Sequence, residues 1–233
     1  EKGFQSIRIP LTLYHRFTEE NGTYTIDKNW LKRYKEVVDY AVEEGLYVMV
    51  NIHHDSWIWL KDWDGKKESK EYIQYTQLWE QRAAYLAEEP EQVCFEKINE
   101  PQFTDGENAQ KYLDSINQVA YDIIRNSGGN NETRMIVIPT INTNASNENS
   151  NTLYTFIESL NDPNIIATVH YYSEWVYSAN LGITGFDEPM GDDGNTARKA
   201  ADTFFTTLSD VFTNNGIGVI VGEYGLLGYD AGE

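Results

Sequence analysis

The sequence is short of basic residues and of cysteine. Lys and Arg number 18 against 37 Asp and Glu, which gives a formal net charge of −19 at pH 7. No basic stripe is available to neutralise phosphates, so the composition argues against a nucleic-acid partner and against an anionic membrane surface. The single cysteine, Cys94, lies in an apolar segment, excludes a disulfide within the chain and is expected to be a small buried residue.

Motifs that hold nucleotides and metals are also missing. The chain has no GxGxxG and no GxxxxGK[ST] loop, and it has no HExxH pair. His53 and His54 are adjacent, so on a strand they would point to opposite faces and could not share one metal ion. No apolar run approaches the length of a membrane span. These absences favour a protein that acts on a neutral or weakly charged substrate without metal catalysis, although an acidic surface also serves solubility alone.

Aromatic residues are abundant, at 13% of the chain. Trp57, Trp59, Trp63 and Trp175 lie in polar segments without helical or strand periodicity. Two interpretations stay open for them. Flat rings beside a cleft are surfaces on which sugars stack, and the same rings also serve as loop anchors on the rim of a fold.

Short apolar runs alternate with segments of helical periodicity along the whole chain. The strands are predicted at 6–11, 46–52, 93–99, 134–141, 164–169 and 217–221, and the helices at 27–44, 70–87, 107–126, 152–160 and 196–214. Residues 12–24 are predicted to be a polar loop. This alternation predicts one α/β domain with a parallel sheet, which is either a doubly wound sheet or a (β/α)8 barrel.

The polar residues at the strand ends decide between these two folds. They are Arg8 within the first strand, and then His53 and His54, Asn99 and Glu100, His170 and Tyr172, and Glu223, each at the end of a later strand. In a barrel all carboxyl ends meet at one mouth, whereas a doubly wound sheet binds its ligand at one switch point, usually with a glycine-rich loop. The distribution therefore favours the (β/α)8 TIM barrel.

Glu100 and Glu223 would face each other across this mouth. Two opposed carboxyl groups are the minimum equipment for cleaving a glycosidic bond, provided that one is protonated and the other ionised. We assign Glu100 as the acid/base and Glu223 as the nucleophile, with Arg8 keeping Glu223 ionised. The alternatives are that the two glutamates are unrelated rim charges, and that Arg8 forms a structural salt bridge with Glu96 or Asp55.

Other side chains around the mouth are predicted to contact the substrate. Asn99 carries an amide that can hold a sugar hydroxyl, and Tyr172 shares strand parity with His170, so both can face the mouth. One of the two adjacent histidines is expected to line the cleft while the other packs behind it. Lys97 has the opposite parity and is expected to extend through the helix layer to solvent.

The segments IRIP, VNIHHD, FEKINEP, VHYY and VIVGEYG together resemble glycoside hydrolase family 5, a large family of retaining endoglucanases, mannanases and relatives. More narrowly, IHHDSWIWL and GEYGLLGYD resemble bacterial secreted endo-β-1,4-glucanases, some of which also accept xyloglucan. The resemblance implies hydrolysis of a β-linked polysaccharide by double displacement, with Glu100 as acid/base, Glu223 as nucleophile and no cofactor. It also implies an extracellular protein with carbohydrate-binding modules appended in its full-length form.

The sequence departs from that family in strand number. The family barrel has eight strands, and residues 1–233 supply the second to the seventh, so the chain is expected to be one partial catalytic domain. The tryptophan carried by the eighth strand is also missing. Alternative functions are a β-mannanase or licheninase with the same machinery and, because the barrel is incomplete, a non-catalytic sugar-binding module.

Overall fold

The computed structural model describes residues 3–172 and 197–225. Strands and helices alternate along these residues, and a hairpin follows the first strand. The strands are β1 (Ser6–Ile9), β2 (Phe17–Glu20), β3 (Thr23–Ile26), β4 (Tyr47–Val50), β5 (Val93–Glu96), β6 (Ile136–Pro139), β7 (Ile165–Tyr171) and β8 (Gly218–Tyr224). The helices are α1 (Lys28–Glu43), α2 (Asp55–Ile58), α3 (Lys70–Tyr85), α4 (Ala109–Asn126), α5 (Asn147–Leu160) and α6 (Ala197–Val211).

The main sheet is parallel and has the order β1-β4-β5-β6-β7-β8. Its order in space follows the order in the chain, as in a (β/α)8 barrel, without the reversal of a doubly wound sheet. An Arg8–Glu223 salt bridge of 2.5 Å joins the two edge strands, so the sheet curves almost to closure. The prediction of a (β/α)8 barrel that is incomplete in this chain is confirmed.

The apolar core lies between the sheet and the surrounding helices. Fully buried residues of the strands, such as Phe95, Ile136 and Ile138, pack against the apolar faces of the helices. Helix α1 begins where the sequence predicts it, because the Asp27 carboxylate accepts hydrogen bonds from the backbone amides of Asn29 and Trp30. None of the helices in the described ranges is long and apolar enough to cross a membrane.

The polar loop predicted at 12–24 is wrong in part, because residues 17–26 form the antiparallel hairpin β2–β3. Asn21 and Gly22 have φ of 50° and 79°, the left-handed conformations that a tight hairpin turn requires. Gln77 and Gln81 of α3 bind the free edge of β3: their side-chain oxygens accept from the amides of Tyr24 and Ile26.

The expectation for Lys97 is also wrong, because this side chain is fully buried and does not reach solvent. Its ammonium donates to the carbonyl of Asn117 at 2.8 Å and lies 5.4 Å and 5.7 Å from the ring centres of Tyr121 and Phe156. Burial holds the pKa of Lys97 well below its usual range. The side chain ends within the helix layer, where its ammonium contacts α4 and α5.

Candidate active site

Two carboxylates meet at the carboxyl ends of the strands. One oxygen of Glu100, one oxygen of Glu223 and a ring nitrogen of His170 all lie within 4.8 Å of one another. The side chains of Glu100 and Glu223 are 30% and 23% exposed, so both are open to a substrate while partly shielded from water. The mouth therefore presents a pair of opposed carboxyl groups, as the sequence predicts.

The backbone at Glu100 is unusual for a residue with a side chain. Its φ is +38°, in the left-handed region, and Pro101 follows. A non-glycine residue rarely holds such a conformation unless its surroundings impose it, and such residues concentrate at functional sites. One constraint is visible directly after it, where the Pro101 carbonyl accepts a hydrogen bond of 2.8 Å from the amide of Asn142.

Arg8 connects Glu223, the candidate nucleophile, to Glu96 on β5. Its guanidinium donates to both oxygens of Glu96, at 2.8 Å and 3.0 Å, and to Oε1 of Glu223 at 2.5 Å. It also donates to Oδ1 of Asn99 at 2.7 Å. The sequence offered three partners for Arg8, and it binds two of them, Glu223 and Glu96. The third, Asp55, binds the Leu13 amide instead.

The surroundings of Glu223 favour its ionised form. Burial raises the pKa of Glu223, but the His170 imidazole, the Arg8 guanidinium and the Tyr172 hydroxyl outweigh burial, and the pKa falls below its ordinary value. The Tyr172 hydroxyl donates to Oε2 at 3.0 Å, so each oxygen of Glu223 accepts at least one hydrogen bond. An ionised carboxylate at the end of β8 is what a nucleophile requires.

Glu100 is held by His170. Nδ1 of His170 lies 2.8 Å from Oε1 of Glu100 and 3.6 Å from Oε2 of Glu223. This contact can form with the proton on either partner, since Nδ1–H can donate to a carboxylate and a protonated carboxyl can donate to Nδ1. Glu100 can therefore gain and lose a proton without losing its contact with His170.

The two adjacent histidines lie beyond the end of β4, directly before α2, and their side chains make different contacts. His53 faces the mouth, with Nε2 3.8 Å from Oε1 of Glu223, whereas Nδ1 of His54 contacts the hydroxyl of Thr12 at 2.6 Å. Burial and the charge of Arg8 lower the pKa of His53 to about 4, so this ring is neutral at neutral pH.

Sequence reasoning missed Asn51 as a member of the site. Its fully buried amide group lies 3.0 Å from Nδ1 of His53 and donates to Oε2 of Glu96 at 2.9 Å. Asn51 therefore links His53 to the Arg8–Glu96 pair. The available signal was an amide inside the apolar strand segment LYVMVNI, the same kind of signal that identified Glu96 and Glu100.

Asn99 is completely buried beside Glu100, with its oxygen bound to Arg8. Within the described part of the chain its Nδ2 group has no hydrogen-bond partner. A buried amide donor without a partner is costly unless a ligand supplies an acceptor. Asn99 thus keeps an amide donor in reserve beside Glu100.

The tryptophans of the loop after β4 differ in their positions. Trp57 is half-buried next to the mouth, with its ring centre 6.0 Å from that of His53 and 5.3 Å from that of His54. Trp59 packs against the core and donates from its indole nitrogen to Asp55 at 2.7 Å, so it anchors the loop. Trp175 lies outside the described residues.

The cluster of Glu100, Glu223 and His170 offers the donor types of a cation site, two carboxylates and an imidazole. Oε1 of Glu223 is already bound by the positively charged Arg8 and Oε2 by Tyr172. Both oxygens of Glu223 are thus already engaged by hydrogen-bond donors of the protein itself.

A cleft of about 680 Å³ extends from Glu100 away from the β1 edge. Its wall is formed by the loop after β6, the end of β7 and one face of α6, and includes Asn142, Asn144, Tyr172 and Phe204. This volume accommodates more than one sugar ring. The cleft thus borders Glu100, and its wall combines polar and apolar side chains.

Comparisons with known proteins agree with this geometry. A sequence model of the family described as "Cellulase (glycosyl hydrolase family 5)" matches residues 1–232. Endoglucanase B of Paenibacillus lautus is 39% identical over 98% of this chain and 40% of its own length. The solved structure of the tri-modular endo-β-1,4-glucanase B from Bacillus halodurans superposes with a TM-score of 0.87 at 39% identity, over 98% of this chain and 42% of that one.

A tri-modular endo-β-1,4-glucanase from Bacillus licheniformis, solved in complex with cellotetraose, has a TM-score of 0.81 and 30% identity, over 98% of this chain and 41% of that one. The chain thus spans less than half of the length of each of these three proteins.

Proposed function

Because the chain belongs to glycosyl hydrolase family 5, we propose that it is the catalytic part of a retaining endo-β-1,4-glucanase. The observation that carries the proposal is the approach of the Glu100 and Glu223 oxygens to within 4.8 Å. Retaining glycosidases hold their two carboxyl groups about 5–5.5 Å apart, whereas inverting enzymes leave about 6.5–9.5 Å for a water molecule. The observed separation supports double displacement.

In the first step Glu223 attacks the anomeric carbon while protonated Glu100 gives its proton to the departing glycosidic oxygen. The bond to the leaving sugar breaks as an ester bond to Glu223 forms. Arg8 and Tyr172, which hold the two oxygens of Glu223, keep the carboxylate ionised and oriented for this attack. Asn99 is positioned to bind a hydroxyl of the reacting sugar through its free amide donor.

In the second step the Glu100 carboxylate accepts a proton from water, and the water oxygen replaces Glu223 at the anomeric carbon. His170 then holds Glu100 in both protonation states, since their contact does not depend on which partner carries the proton. Glu100 returns to its protonated form and Glu223 to its ionised form. Two inversions give a product with the starting β configuration, and all steps use side chains of this chain without a metal ion.

We further propose that residues 1–233 are part of one catalytic domain that acts outside the cell, with carbohydrate-binding modules elsewhere in the full-length protein. Polymeric β-glucans do not enter cells, which supports the extracellular site. The tri-modular organisation of the similar glucanases supports the appended modules. The cleft beside Glu100 and the half-buried ring of Trp57 are the surfaces expected to hold the rest of a glucan chain.

The direct test is hydrolysis of a panel of soluble β-1,4-glucan, xyloglucan, lichenan and mannan, carried out on the full-length protein and on residues 1–233. We expect cleavage within β-1,4-glucan chains and initial release of the β anomer, followed by NMR. Preference for mannan or lichenan would reassign the substrate, and initial release of the α anomer would refute double displacement. Binding of these polymers without cleavage by the full-length protein would favour the non-catalytic module.

Substitutions separate the roles of the two carboxylates. Glu223→Gln should abolish turnover of every substrate, whereas Glu100→Gln should lower polysaccharide hydrolysis by about 10²–10⁴-fold. A substrate with an activated aryl leaving group needs no proton from Glu100, so Glu100→Gln should still release the phenolate rapidly. The exposed Glu36→Gln variant is the control and should behave as the unsubstituted protein. Full polysaccharide activity in Glu223→Gln would remove Glu223 from the mechanism.

A further inference from the structure

The last strand contains an irregularity immediately before the nucleophile candidate. In the pairing of β7 with β8, Val169 lies opposite Val221, but the next pair is His170 opposite Glu223. Gly222 is therefore an extra residue in β8 without a counterpart in β7. Such bulges shift the direction in which the following side chains point.

The bulge determines the face on which Glu223 lies. Val169 is fully buried and Val221 packs with it against the apolar core, on the helix side of the sheet. In a regular strand Glu223 would share that face with Val221, because side chains two residues apart point the same way. The extra residue places Glu223 on the interior face instead, where it meets Arg8.

Gly222 also leaves the space in which His170 lies. A Cβ atom at Gly222 would be 2.9 Å from Oγ1 of Thr168 and 3.2 Å from Nε2 of His170. The backbone of Gly222 is not in the left-handed region, so the conformation itself does not require glycine. What excludes a side chain is the closeness of these two groups.

The ring that crowds Gly222 is the one that binds Glu100. His170 contacts Gly222 through the Nε2 side and Glu100 through Nδ1, and its side chain is only 4% exposed. The His170 ring is enclosed and cannot move outward into solvent. A displacement at Nε2 is therefore transmitted to the Nδ1–Glu100 contact.

We propose that Gly222 is a positioning residue that sets both carboxylates, Glu223 through the bulge and Glu100 through the space left for His170. This inference rests on the proposed function, because it assigns Gly222 to the same reaction. Gly222 touches neither the substrate nor the reacting atoms. It acts through the two side chains that the bulge and the missing Cβ put in place.

The test compares Gly222→Ala with Gly218→Ala on the same strand. A Cβ at Gly218 would lie 2.8 Å from Cγ2 of Ile166, which is as close a contact, but one that involves neither His170 nor Glu223. We expect Gly222→Ala to lower kcat/KM by about 10–100-fold, the scale of a small displacement of catalytic groups. Gly218→Ala should stay within about twofold of the unsubstituted protein at a comparable loss of stability.

A spectroscopic measurement makes the test independent of turnover. The protein has four histidines, so the imidazole ¹⁵N signals can be assigned. The Gly222→Ala substitution should shift the His170 signals, whereas Gly218→Ala should leave them unchanged. If Gly222→Ala does not fold, the double variant Thr168→Ala/Gly222→Ala removes the closer contact and should fold with the His170 shift retained.

Unchanged His170 signals and unchanged kcat/KM in folded Gly222→Ala would overturn the inference. If the unsubstituted protein hydrolyses no glucan, the proposed function fails, and the NMR comparison still decides whether Gly222 positions His170. The two failures are thus distinguishable.

Discussion

The protonation states of Glu223 and Tyr172 in the mouth are set by identified neighbours. Glu223 is ionised because His170, Arg8 and Tyr172 together outweigh the effect of burial. Burial, together with the negative charge of Glu223, in turn raises the pKa of Tyr172 to about 12, so this phenol keeps its proton and remains a donor. The hydrogen bond between them therefore persists at every pH at which the enzyme is expected to work.

This contact predicts a pH effect for Tyr172→Phe. Since the pKa of Glu223 is below its ordinary value, the ionised nucleophile is lost only when the pH falls through that depressed pKa. Removing the hydroxyl raises the pKa of Glu223, so the acidic limb of the kcat/KM profile should move to higher pH, with a loss of about tenfold. Tyr171→Phe, in which the changed ring packs on Phe204, is the matched control. An unmoved acidic limb would show that Tyr172 does not set this pKa.

The same depressed pKa has a consequence for stability. A carboxyl group whose folded pKa is lowered stabilises the folded state above its unfolded pKa, and this contribution disappears as pH falls through the folded value. The contribution of the Glu223 contacts is therefore present at neutral pH and lost in acid. In Tyr172→Phe this acid loss should begin at a higher pH than in the unsubstituted protein, which thermal unfolding across an acidic pH series would detect.

At the scale of single elements, the hairpin β2–β3 shows how a helix can complete a strand edge. Gln81 of α3 accepts from the Ile26 amide at 2.9 Å and donates to the Tyr24 carbonyl at 2.8 Å. Gln77 binds the Tyr24 amide and the Gly22 carbonyl in the same way. Two glutamines four residues apart thus supply the bonds of an additional strand.

We predict that Gln81→Ala lowers the free energy of unfolding by about 1–3 kcal/mol, because it leaves a backbone amide and a carbonyl of β3 without partners. Urea denaturation measures this change. Gln118→Ala is the control, since Gln118 is exposed on α4 and bonds only to the neighbouring Asp122 side chain, and its effect should stay below about 0.5 kcal/mol. Equal losses in both variants would show that the glutamine contacts do not hold the hairpin.

Most elements could be predicted from periodicity, and the exceptions have physical reasons. The apolar faces of α1, α3 and α4 define them without tertiary information. The strands of the hairpin are half exposed and carry a weak pattern, and their edge is satisfied by α3, which lies about 50 residues further along the chain. Helix α5 begins earlier than the predicted residue 152, at the N-cap Ser146, whose hydroxyl accepts from the Asn149 amide. Its first turn is polar and rich in Asn, so an apolar pattern does not reveal this start.

The part of the candidate site that could be predicted consists of reactive side chains at the ends of strands. Glu100, Glu223, Arg8 and His170 are brought together as strand ends in a barrel must be. The bulge at Gly222 was not predictable, because it depends on the pairing of β8 with β7 and not on the local sequence. The prediction for Lys97 was wrong because strand parity gives the direction of a side chain but not the partners that hold it within the helix layer.

At the scale of the whole molecule, the fold is a curved sheet that is held together across its seam by the site itself. Arg8 belongs to one edge strand and Glu223 to the other, and their salt bridge joins the edges at the mouth. Glu223, the proposed nucleophile, therefore has two partners from opposite sides of the seam, Arg8 on β1 and Tyr172 beyond β7. The Arg8–Glu223 contact therefore serves both the proposed reaction and the joining of the two edge strands.

Capture of the glycosyl-enzyme intermediate would show directly whether Glu223 is the nucleophile. A 2-deoxy-2-fluoro cellobioside with an activated leaving group should lose that group and leave its sugar bound as an ester, which mass spectrometry of peptides locates. We expect the label on Glu223, absent in Glu223→Gln and formed in Glu100→Gln. Labelling of another residue, or turnover of β-glucan with no covalent intermediate on Glu223, would contradict that expectation.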